Sequence, residues 1–307
     1  MLRGISLLFI AIPVIILYSC GTPATTNTKP ALQPDSLRYK VAAIAADVKG
    51  TVGVAMKVLE TGDTFSYNGN AHLPMQSTFK FPLAMYILHQ VDSGKLSLQQ
   101  KVHISEQEMD QDTYSPISEI YDGAIDMPID SLLRYSVSHS DNIACDMLFK
   151  AGGGTDKVND YIHSLGVTGI AIKANEEAMH KDWPTQYTNW CEPKAMVLLL
   201  EIFYNKKALS DTSNALLWQL MVNCNTGPDR IRGLLPKGTI VADKTGTGGS
   251  KDGITSATND LGIIVLPNGK HLAIIVFVSD SKADKVVREA TIAKIAKAAY
   301  DNYGTTP

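Results

Sequence analysis

The sequence has almost no surplus of charge and contains only one long hydrophobic run. Its 28 Lys and Arg residues nearly balance 31 Asp and Glu residues, for a net charge of −3. Because it lacks a basic field, the chain is a poor candidate for binding nucleic acid. With 45% hydrophobic residues over 307 positions, it is too polar for a multi-span membrane protein and too apolar for a disordered one. The length suits one large domain or two closely packed ones.

Patterns typical of metal and redox sites are missing as well. The four cysteines include no Cys-x-x-Cys pair, which excludes the common zinc-knuckle and thioredoxin-like motifs. The seven histidines show no His-x-His or His-x-x-x-His spacing, which argues against a metallo-hydrolase. We therefore expect no metal and no cofactor, and we interpret His139 and His180 as structural residues. Cys145, Cys191 and Cys224 are expected to be small buried hydrophobic residues, without a predicted disulfide.

The one long apolar run lies at the N-terminus. It covers Ile5–Leu17, a run of 13 residues that follows Arg3. A bilayer-spanning helix needs about 20 residues, so this run is too short to cross a membrane. Its length fits the hydrophobic region of a secretory signal peptide. We therefore predict a signal peptide over residues 1–19 and export of the chain to the periplasm.

The run ends in Leu17-Tyr18-Ser19-Cys20-Gly21, which resembles a bacterial lipoprotein signal. The resemblance implies that Cys20 carries lipid and anchors the mature chain to a membrane. Tyr18 is unusual at its position, so plain cleavage nearby is the alternative. Residues 20–34, rich in Thr, Pro and Ala, are predicted to form a flexible tether.

Beyond the tether, the pattern predicts one helix, two strands, a long helical stretch, three strands and a last helix. The strands are expected at Thr51–Leu59, Thr64–Tyr67, Thr239–Asp243, Ala257–Leu266 and His271–Val278. The helices are expected at Asp35–Val48, Phe81–Asp92, Ser131–Tyr135, Asn142–Lys150, Asp156–Leu165, Pro193–Phe203 and Asp284–Tyr300. The pair Asn268-Gly269 predicts a hairpin turn between the last two strands.

The order of these elements predicts how they assemble. Since an isolated hairpin is only marginally stable, strands from the two ends of the chain must pair in one sheet. We predict an α+β fold, an α/β sandwich in which terminal helices flank an antiparallel five-stranded sheet and an all-α lobe is inserted. Within a catalytic domain at residues 35–307, the α/β lobe would comprise about 35–71 and 222–307, and the all-α lobe about 72–221. A cleft between two lobes is a favoured place for a ligand site.

Three short motifs combine hydroxyl, ammonium and amide groups. In Ser77-x-x-Lys80, helical spacing brings the Lys80 side chain within reach of the Ser77 hydroxyl. Alone, this motif is equally typical of an N-cap serine followed by a solvated lysine. Ser140-Asp141-Asn142 follows an apolar helix and is predicted to be a turn, with a helix N-cap cluster as the alternative. Lys244-Thr245-Gly246 is predicted to lie where a strand ends.

In this order and at this spacing, the three motifs resemble those of serine β-lactamases and penicillin-binding proteins. From about Ser36 to Tyr300 the chain resembles class A β-lactamases. The resemblance implies a β-lactamase/transpeptidase-like fold and a monomer. It also implies that the chain hydrolyses the β-lactam ring of penicillins and cephalosporins through a serine acyl-enzyme, giving antibiotic resistance.

The resemblance also implies a role for each motif residue. Ser77 is the expected nucleophile, and Lys80 is expected to assist its proton transfer. Ser140 is expected to pass a proton to the departing ring nitrogen, helped by Lys244. The backbone N–H groups of Ser77 and Thr247 would form the oxyanion hole. The expected substrate-binding residues are Tyr114, Asn142, Arg230, Thr245, Gly246 and Thr247.

A β-lactamase of this class needs a further base, which activates the deacylating water and lies in a Glu-x-x-x-Asn pattern on the Ω loop. Glu176 falls at that position and His180 replaces the usual Asn, whereas the adjacent Glu177 is expected to be solvated. The stretch Lys181–Trp190 is longer and more aromatic than the common loop, and the family's stabilising Arg/Asp pair is missing. This resembles the subgroup with a rearranged Ω loop and extended-spectrum cephalosporinase activity.

Two other functions stay open at this point. A D-Ala-D-Ala peptidase or transpeptidase of cell-wall metabolism has the same acylating serine but hydrolyses its acyl-enzyme slowly. A non-catalytic surface lipoprotein would be expected to lose Ser77 or Lys80, and both are present. The identity of the acylation base, Lys80 or Glu176, is open as well.

Overall fold

The computed structural model describes Met1 and residues 34–305 of the chain. Residues 2–19 of the predicted signal peptide, Cys20 and residues 21–33 of the tether lie outside the described residues. No helix in the described part is both long and apolar enough to cross a membrane.

One antiparallel sheet forms the centre of the fold. Its strand order is β2-β1-β11-β10-β8, and the two-residue strand β9 pairs with β10 at one end. The strands of this sheet are β1 Thr51–Val58, β2 Thr64–Tyr67, β8 Val241–Thr247, β9 Ser250–Lys251, β10 Ile254–Val265 and β11 His271–Ser281. Short strands outside it are β3 Leu73–Pro74, β4 Lys101–Ile104, β5 Ile125–Pro128, β6 Ile170–Ala171 and β7 Trp190–Cys191. The predicted pairing of strands from both ends of the chain is confirmed.

The helices divide between the two faces of this sheet. Two terminal helices, α1 Pro34–Ala46 and α11 Lys285–Gly304, pack on one face. The other face is covered by helices from the middle of the chain. The helices of this middle part are α2 Lys80–Asp92, α3 Glu106–Met109, α4 Pro116–Ile120, α5 Ile129–Ser138, α6 Asn142–Gly152, α7 Thr155–Ser164, α8 Glu176–Lys181, α9 Pro193–Tyr204 and α10 Asp211–Val222. The α+β fold with an inserted helical part is therefore confirmed.

The central strand β11 shows why the sheet is buried on both faces. Leu272, Ile274 and Val276 point into the core beneath the terminal helices, whereas Ala273 and Ile275 point into the core of the helical part. Side chains alternate across a strand, so a strand covered on both sides must be apolar at nearly every position. The unbroken apolar run is thus the sequence signature of a sheet between two helical layers.

The position of Lys244-Thr245-Gly246 corrects one expectation. These residues do not end a strand but lie inside β8, where Lys244 pairs with Leu261 and Thr245 with Asp260. Their polar character suggested a strand end, yet β8 is buried through Gly246 because the helical part covers it. The strand also begins later than predicted, at Val241.

The backbones of β8 and β10 lie close together at Gly262. A Cβ atom added at Gly262 would lie 2.4 Å from the Ala242 carbonyl oxygen and 2.9 Å from Asp243 Cα. We predict that Gly262→Ala lowers the free energy of unfolding by about 3 kcal/mol, because the strands must separate to admit the methyl group. Gly233→Ala is the control, since its added Cβ comes no closer than 3.4 Å to any neighbour. Urea unfolding of both variants measures the effect, and equal losses would contradict the prediction.

Candidate active site

A cavity of about 1010 Å³ opens between the sheet edge at β8 and the helical part. The predicted site residues that line it are Ser77, Tyr114, Ser140, Asn142, Glu176, Arg230, Thr245 and Thr247. Lys80 and Lys244 are fully buried. Gly246 lies in β8 between Thr245 and Thr247. The fold thus brings residues from all three motifs and from the Glu176 segment to one place.

Ser77 is presented by a short 3-10 helix, Gln76–Phe79, that leads directly into α2. Gln76 has a φ of +50°, in the left-handed region that non-glycine residues seldom adopt. Strand β8 packs against this segment, since a Cβ at Gly246 would lie 2.6 Å from the Met75 carbonyl oxygen. Only glycine allows this approach, and it brings the Lys-Thr-Gly strand beside the serine.

The ammonium of Lys80 has no contact with solvent and is held by three oxygen atoms. Lys80 Nζ donates to Asn142 Oδ1 at 2.5 Å and to the Ser140 carbonyl oxygen at 2.7 Å. It also pairs with Glu176 Oε1 at 2.9 Å. A buried charge is tolerated only when it is paired and hydrogen-bonded, and these contacts meet that condition.

Glu176 is the carboxylate nearest to the serine in the described structure. Its Oε1 accepts a hydrogen bond from Ser77 Oγ at 3.2 Å, and the side chain is almost fully buried. Glu176 begins helix α8, and Asn175 caps that helix by accepting from the Ala178 N–H. The imidazole Nδ1 of His180 lies 2.7 Å from the Glu176 carbonyl oxygen, within the same short helix.

Asp146 anchors this segment and was missed in the sequence. Its carboxylate accepts from the backbone N–H of Glu176 at 2.8 Å, from the Glu177 N–H at 2.9 Å and from Asn175 Nδ2 at 3.0 Å. The signal that could have revealed it is its spacing of four residues from Asn142 on α6, which places both side chains on one helix face. One face of α6 therefore binds the Lys80 side chain through Asn142 and the start of α8 through Asp146.

Burial and, after it, the charge of Glu176 raise the pKa of Asp146 from its ordinary value of 3.8 to about 7. The backbone N–H groups of Glu177 and Glu176 and the charge of Lys80 oppose this shift. Two carboxylates close together in a dry environment resist ionising at the same time. The Asp146 carboxyl therefore titrates near neutral pH.

Ser140 and Lys244 form a second hydroxyl–ammonium pair in the cavity. Lys244 Nζ donates to Ser140 Oγ at 2.8 Å and to the Thr245 carbonyl oxygen at 2.8 Å. Burial, together with the charge of the nearby Lys80, lowers the pKa of Lys244 to about 8. The Lys244 ammonium consequently gives up its proton more readily than an exposed lysine would. Ser140 itself has a φ of +60°, in the turn that precedes α6.

Arg230 forms hydrogen bonds to β8, the strand that carries Lys244-Thr245-Gly246. Its guanidinium donates to Thr247 Oγ1 at 2.7 Å and to the Gly246 carbonyl oxygen at 3.0 Å, and it pairs with Glu289 Oε1 at 3.2 Å. On the same strand, Thr245 Oγ1 lies 2.5 Å from Thr226 Oγ1. These contacts orient two hydroxyl groups of β8 at the cavity surface.

Tyr114 stands at the opposite side of the opening and is half exposed. Its carbonyl oxygen accepts from the Asn142 N–H at 3.1 Å. His139 Nδ1 lies 2.9 Å from Nδ2 of Asn225, a residue that lines the cavity. The three described cysteines Cys145, Cys191 and Cys224 are buried, as expected, and their thiols are free. The described residues include no cluster of His, Cys, Asp and Glu that could hold a metal ion.

A serine beside two buried lysines, at the edge of an antiparallel sheet with a helical insertion, defines the class of acyl-transferring serine hydrolases that carry these three motifs. A family model for the β-lactamase enzyme family matches residues 36–303. The chain therefore belongs to the β-lactamase enzyme family.

Individual relatives agree with this assignment. The extended-spectrum β-lactamase PER-1 of Pseudomonas aeruginosa is 48% identical over 269 residues, which cover 87% of this chain and 87% of that protein. β-Lactamase VEB-1 of the same species is 45% identical over 273 residues, or 88% and 91% of the two chains. The crystal structure of a β-lactamase from Chitinophaga pinensis has 52% identity and a TM-score of 0.85, covering 86% of this chain and 98% of that one. The predicted resemblance to class A β-lactamases is confirmed.

The raised pKa of Asp146 predicts a pH-dependent contribution to stability. The folded state holds the Asp146 proton more tightly than the unfolded state does, so this contribution is full below about pH 4 and is lost as the pH rises through about 7. We predict that Asp146→Asn removes it. The difference in free energy of unfolding, wild type minus variant, then falls by about 2 kcal/mol between about pH 5 and pH 8. Urea unfolding of both proteins at the two pH values measures it, and a constant difference would contradict the prediction.

Proposed function

We propose that this chain, a β-lactamase, opens the β-lactam ring by nucleophilic attack of Ser77 and releases the product with a water molecule activated by Glu176. The observation that carries this proposal is the hydrogen bond of 3.2 Å from Ser77 Oγ to Glu176 Oε1, with Lys80 Nζ at 2.9 Å from the same oxygen. A nucleophilic hydroxyl, a carboxylate and a compensating cation therefore lie in direct contact.

In acylation, Ser77 Oγ attacks the carbonyl carbon of the ring, and the bond between that carbon and the ring nitrogen breaks. The hydroxyl proton passes to Glu176, which already accepts it as a hydrogen bond. In the alternative, Lys80 first gives a proton to Glu176 through their contact of 2.9 Å, and its neutral amine then takes the proton of Ser77. The ring nitrogen takes a proton from Ser140, which recovers one from Lys244 through their contact of 2.8 Å. The lowered pKa of Lys244 supports this transfer. The backbone N–H groups of Ser77 and Thr247 are proposed to stabilise the oxyanion.

Before deacylation, Glu176 releases the proton that it took from Ser77 and Lys244 takes one up, so that both groups regain their charge. In deacylation, Glu176 then takes a proton from water as the water oxygen attacks the ester carbonyl carbon. The ester bond to Ser77 breaks, and the oxygen of Ser77 recovers that proton from Glu176, which leaves the enzyme unchanged. The contacts of Asp146 with the start of α8 support this role, since they hold the Glu176 backbone in place. A general base held in this way typically contributes about 10²–10⁴-fold to a rate.

The substrate is a β-lactam, and its hydrolysis gives resistance to the antibiotic. We propose that its carboxylate is bound by Thr245 and Thr247, with Arg230 orienting Thr247 through a hydrogen bond of 2.7 Å. Asn142 is proposed to bind the amide of the substrate side chain, and Tyr114 and Gly246 to line the path to it. The D-Ala-D-Ala peptidase has no support among the relatives, which are β-lactamases.

Replacing Glu176 by Gln tests the deacylation step. We predict that Glu176→Gln is still acylated by a cephalosporin but deacylates about 10²–10⁴-fold more slowly, because the amide cannot accept a proton from water. The trapped acyl-enzyme appears in intact-protein mass spectrometry as a stable increment equal to the mass of the bound antibiotic fragment.

Glu177→Gln is the matched control. Glu177 is the adjacent acid in the same helix, half exposed, and pairs with Lys181 at 3.0 Å. This variant should turn over a chromogenic cephalosporin at the wild-type rate. If Glu176→Gln turns over as fast as the wild type, Glu176 is not the deacylation base.

We also propose that the mature enzyme is exported to the periplasm and anchored there as a monomer through lipid on Cys20. The support is the apolar run Ile5–Leu17, followed directly by Tyr18-Ser19-Cys20. In this arrangement residues 20–34 join the anchor to the catalytic domain at residues 35–307.

Detergent partitioning tests the lipid anchor. We predict that the wild-type protein enters the detergent phase of Triton X-114 after expression in a Gram-negative host, and that Cys20→Ser moves it to the aqueous phase. Ser19→Ala, which keeps a small residue before the cysteine, should partition like the wild type. A wild-type protein found in the aqueous phase would show that the signal is cleaved without lipidation.

A further inference from the structure

Gln186 is a buried glutamine that forms hydrogen bonds to three walls of the cavity and has no role in the mechanism above. Gln186 lies in a 3-10 helix, Thr185–Thr188, that follows α8 in the chain. Its side chain is buried and lines the cavity. The three walls are the segment before Ser77, the edge of the sheet and the loop that carries Trp183.

The side-chain amide of Gln186 makes three hydrogen bonds, one to each wall. Gln186 Oε1 accepts from Gln76 Nε2 at 2.8 Å and from Ser256 Oγ on β10 at 2.6 Å. Gln186 Nε2 donates to the carbonyl oxygen of Trp183 at 2.9 Å. Both lone pairs of the oxygen are in use, so a substitution that removes this oxygen leaves Gln76 Nε2 and Ser256 Oγ without this acceptor.

The sheet edge is packed tightly around the same amide. A Cβ at Gly248 would lie 2.0 Å from Ser256 Oγ and 3.1 Å from Gln76 Nε2. The Ser256 N–H donates to the Gly249 carbonyl oxygen at 3.0 Å, which holds the turn after β8 in place. The position of this turn is therefore tied to Gln186 through Ser256.

Trp183 faces that turn across the cavity. Its ring atom Cζ3 lies 3.8 Å from the place where a Cβ of Gly249 would be. Both residues line the cavity, and Trp183 is partly buried. The gap between Trp183 and Gly249 is thus bounded by two elements that Gln186 links, one through the Trp183 carbonyl and the other through Ser256.

We infer that Gln186 is a positioning residue that sets the width of this gap and thereby selects β-lactams by the acyl side chain that the gap holds. This inference rests on the proposed function, because it requires a β-lactam with its reacting carbonyl at Ser77. A substrate with a long, flat side chain contacts Trp183 and the Gly248-Gly249 turn together. A substrate that lacks the acyl group contacts neither and does not depend on the gap.

Two cephalosporins with the same nucleus provide the test. Cefotaxime carries a bulky oxyimino acyl group, and 7-aminocephalosporanic acid is the same nucleus without it. Gln186→Met keeps the volume of the side chain but removes all three hydrogen bonds. We expect its kcat/KM to fall at least tenfold more for cefotaxime than for 7-aminocephalosporanic acid. Thr188→Ala is the control on the same 3-10 helix, since its exposed hydroxyl donates only to the Thr185 carbonyl oxygen. This variant should leave the ratio of the two kcat/KM values unchanged.

A second variant and a double substitution separate positioning from loss of structure. Ser256→Ala removes one donor to Gln186 from the sheet side, and it should shift the ratio in the same direction by a smaller factor. If Gln186→Met does not fold, the ratio of kcat/KM values measured for Ser256→Ala tests the inference. Trp183→Ala should also lower cefotaxime hydrolysis selectively, and adding Gln186→Met to it should change the ratio little further, because both act on the same gap.

The outcomes distinguish the two proposals. A wild-type enzyme that hydrolyses neither compound would overturn the proposed function. A wild type that hydrolyses both, with a ratio that neither Gln186→Met nor Ser256→Ala alters, would overturn the role of Gln186 alone. Equal losses for both compounds would also overturn it, since they indicate a general structural effect.

Discussion

The buried ammonium of Lys80 is the constraint on which the rest of the site depends. A cation without water is stable only when its surroundings supply acceptors, and three are provided here: Asn142 Oδ1, the Ser140 carbonyl oxygen and Glu176 Oε1. These atoms belong to the turn before α6, to α6 itself and to α8, which are distant from α2 in the chain. The charge of Lys80 therefore stabilises the contact of three parts of the chain: the nucleophile segment, the Ser-Asp-Asn turn and the candidate deacylation base.

The same cluster explains why α8 needs an acidic anchor. Asp146 accepts from two backbone N–H groups at the start of α8 and so orients Glu176, at the cost of placing a second carboxylate close by. Because of this proximity and its burial, the pKa of Asp146 rises to about 7. Gln186 fastens the loop after α8 with three further hydrogen bonds. Asp146 and Gln186 thus stabilise this loop, which is the role expected of the missing Arg/Asp pair.

The sheet serves as the rigid support for this chemistry. Strand β8 approaches both neighbours more closely than side chains allow, with Gly262 opposite it on β10 and its own Gly246 against Met75. Asn259 on β10 adds a direct link, since its Nδ2 donates to the Pro74 carbonyl oxygen at 2.7 Å. Burial of the sheet on both faces leaves little freedom for these strands to move. The distance between Lys244 and Ser140 is consequently set by the core.

The sequence by itself determined the family, the order of the helices and strands, and the residues of three motifs, because periodicity and short spacings are local properties. Helical spacing placed Lys80 beside Ser77, but Ser140 and Lys244 were joined to them only by resemblance. The sequence could not show that Lys244 lies inside β8, since that depends on pairing with Leu261 and on cover from the helical part. Asp146 and Gln186 were hidden for the same reason: each acts on partners far along the chain, such as Gln76 for Gln186. Hydrogen bonds between distant residues follow from packing, so only the tertiary structure decided which polar side chains hold the site together.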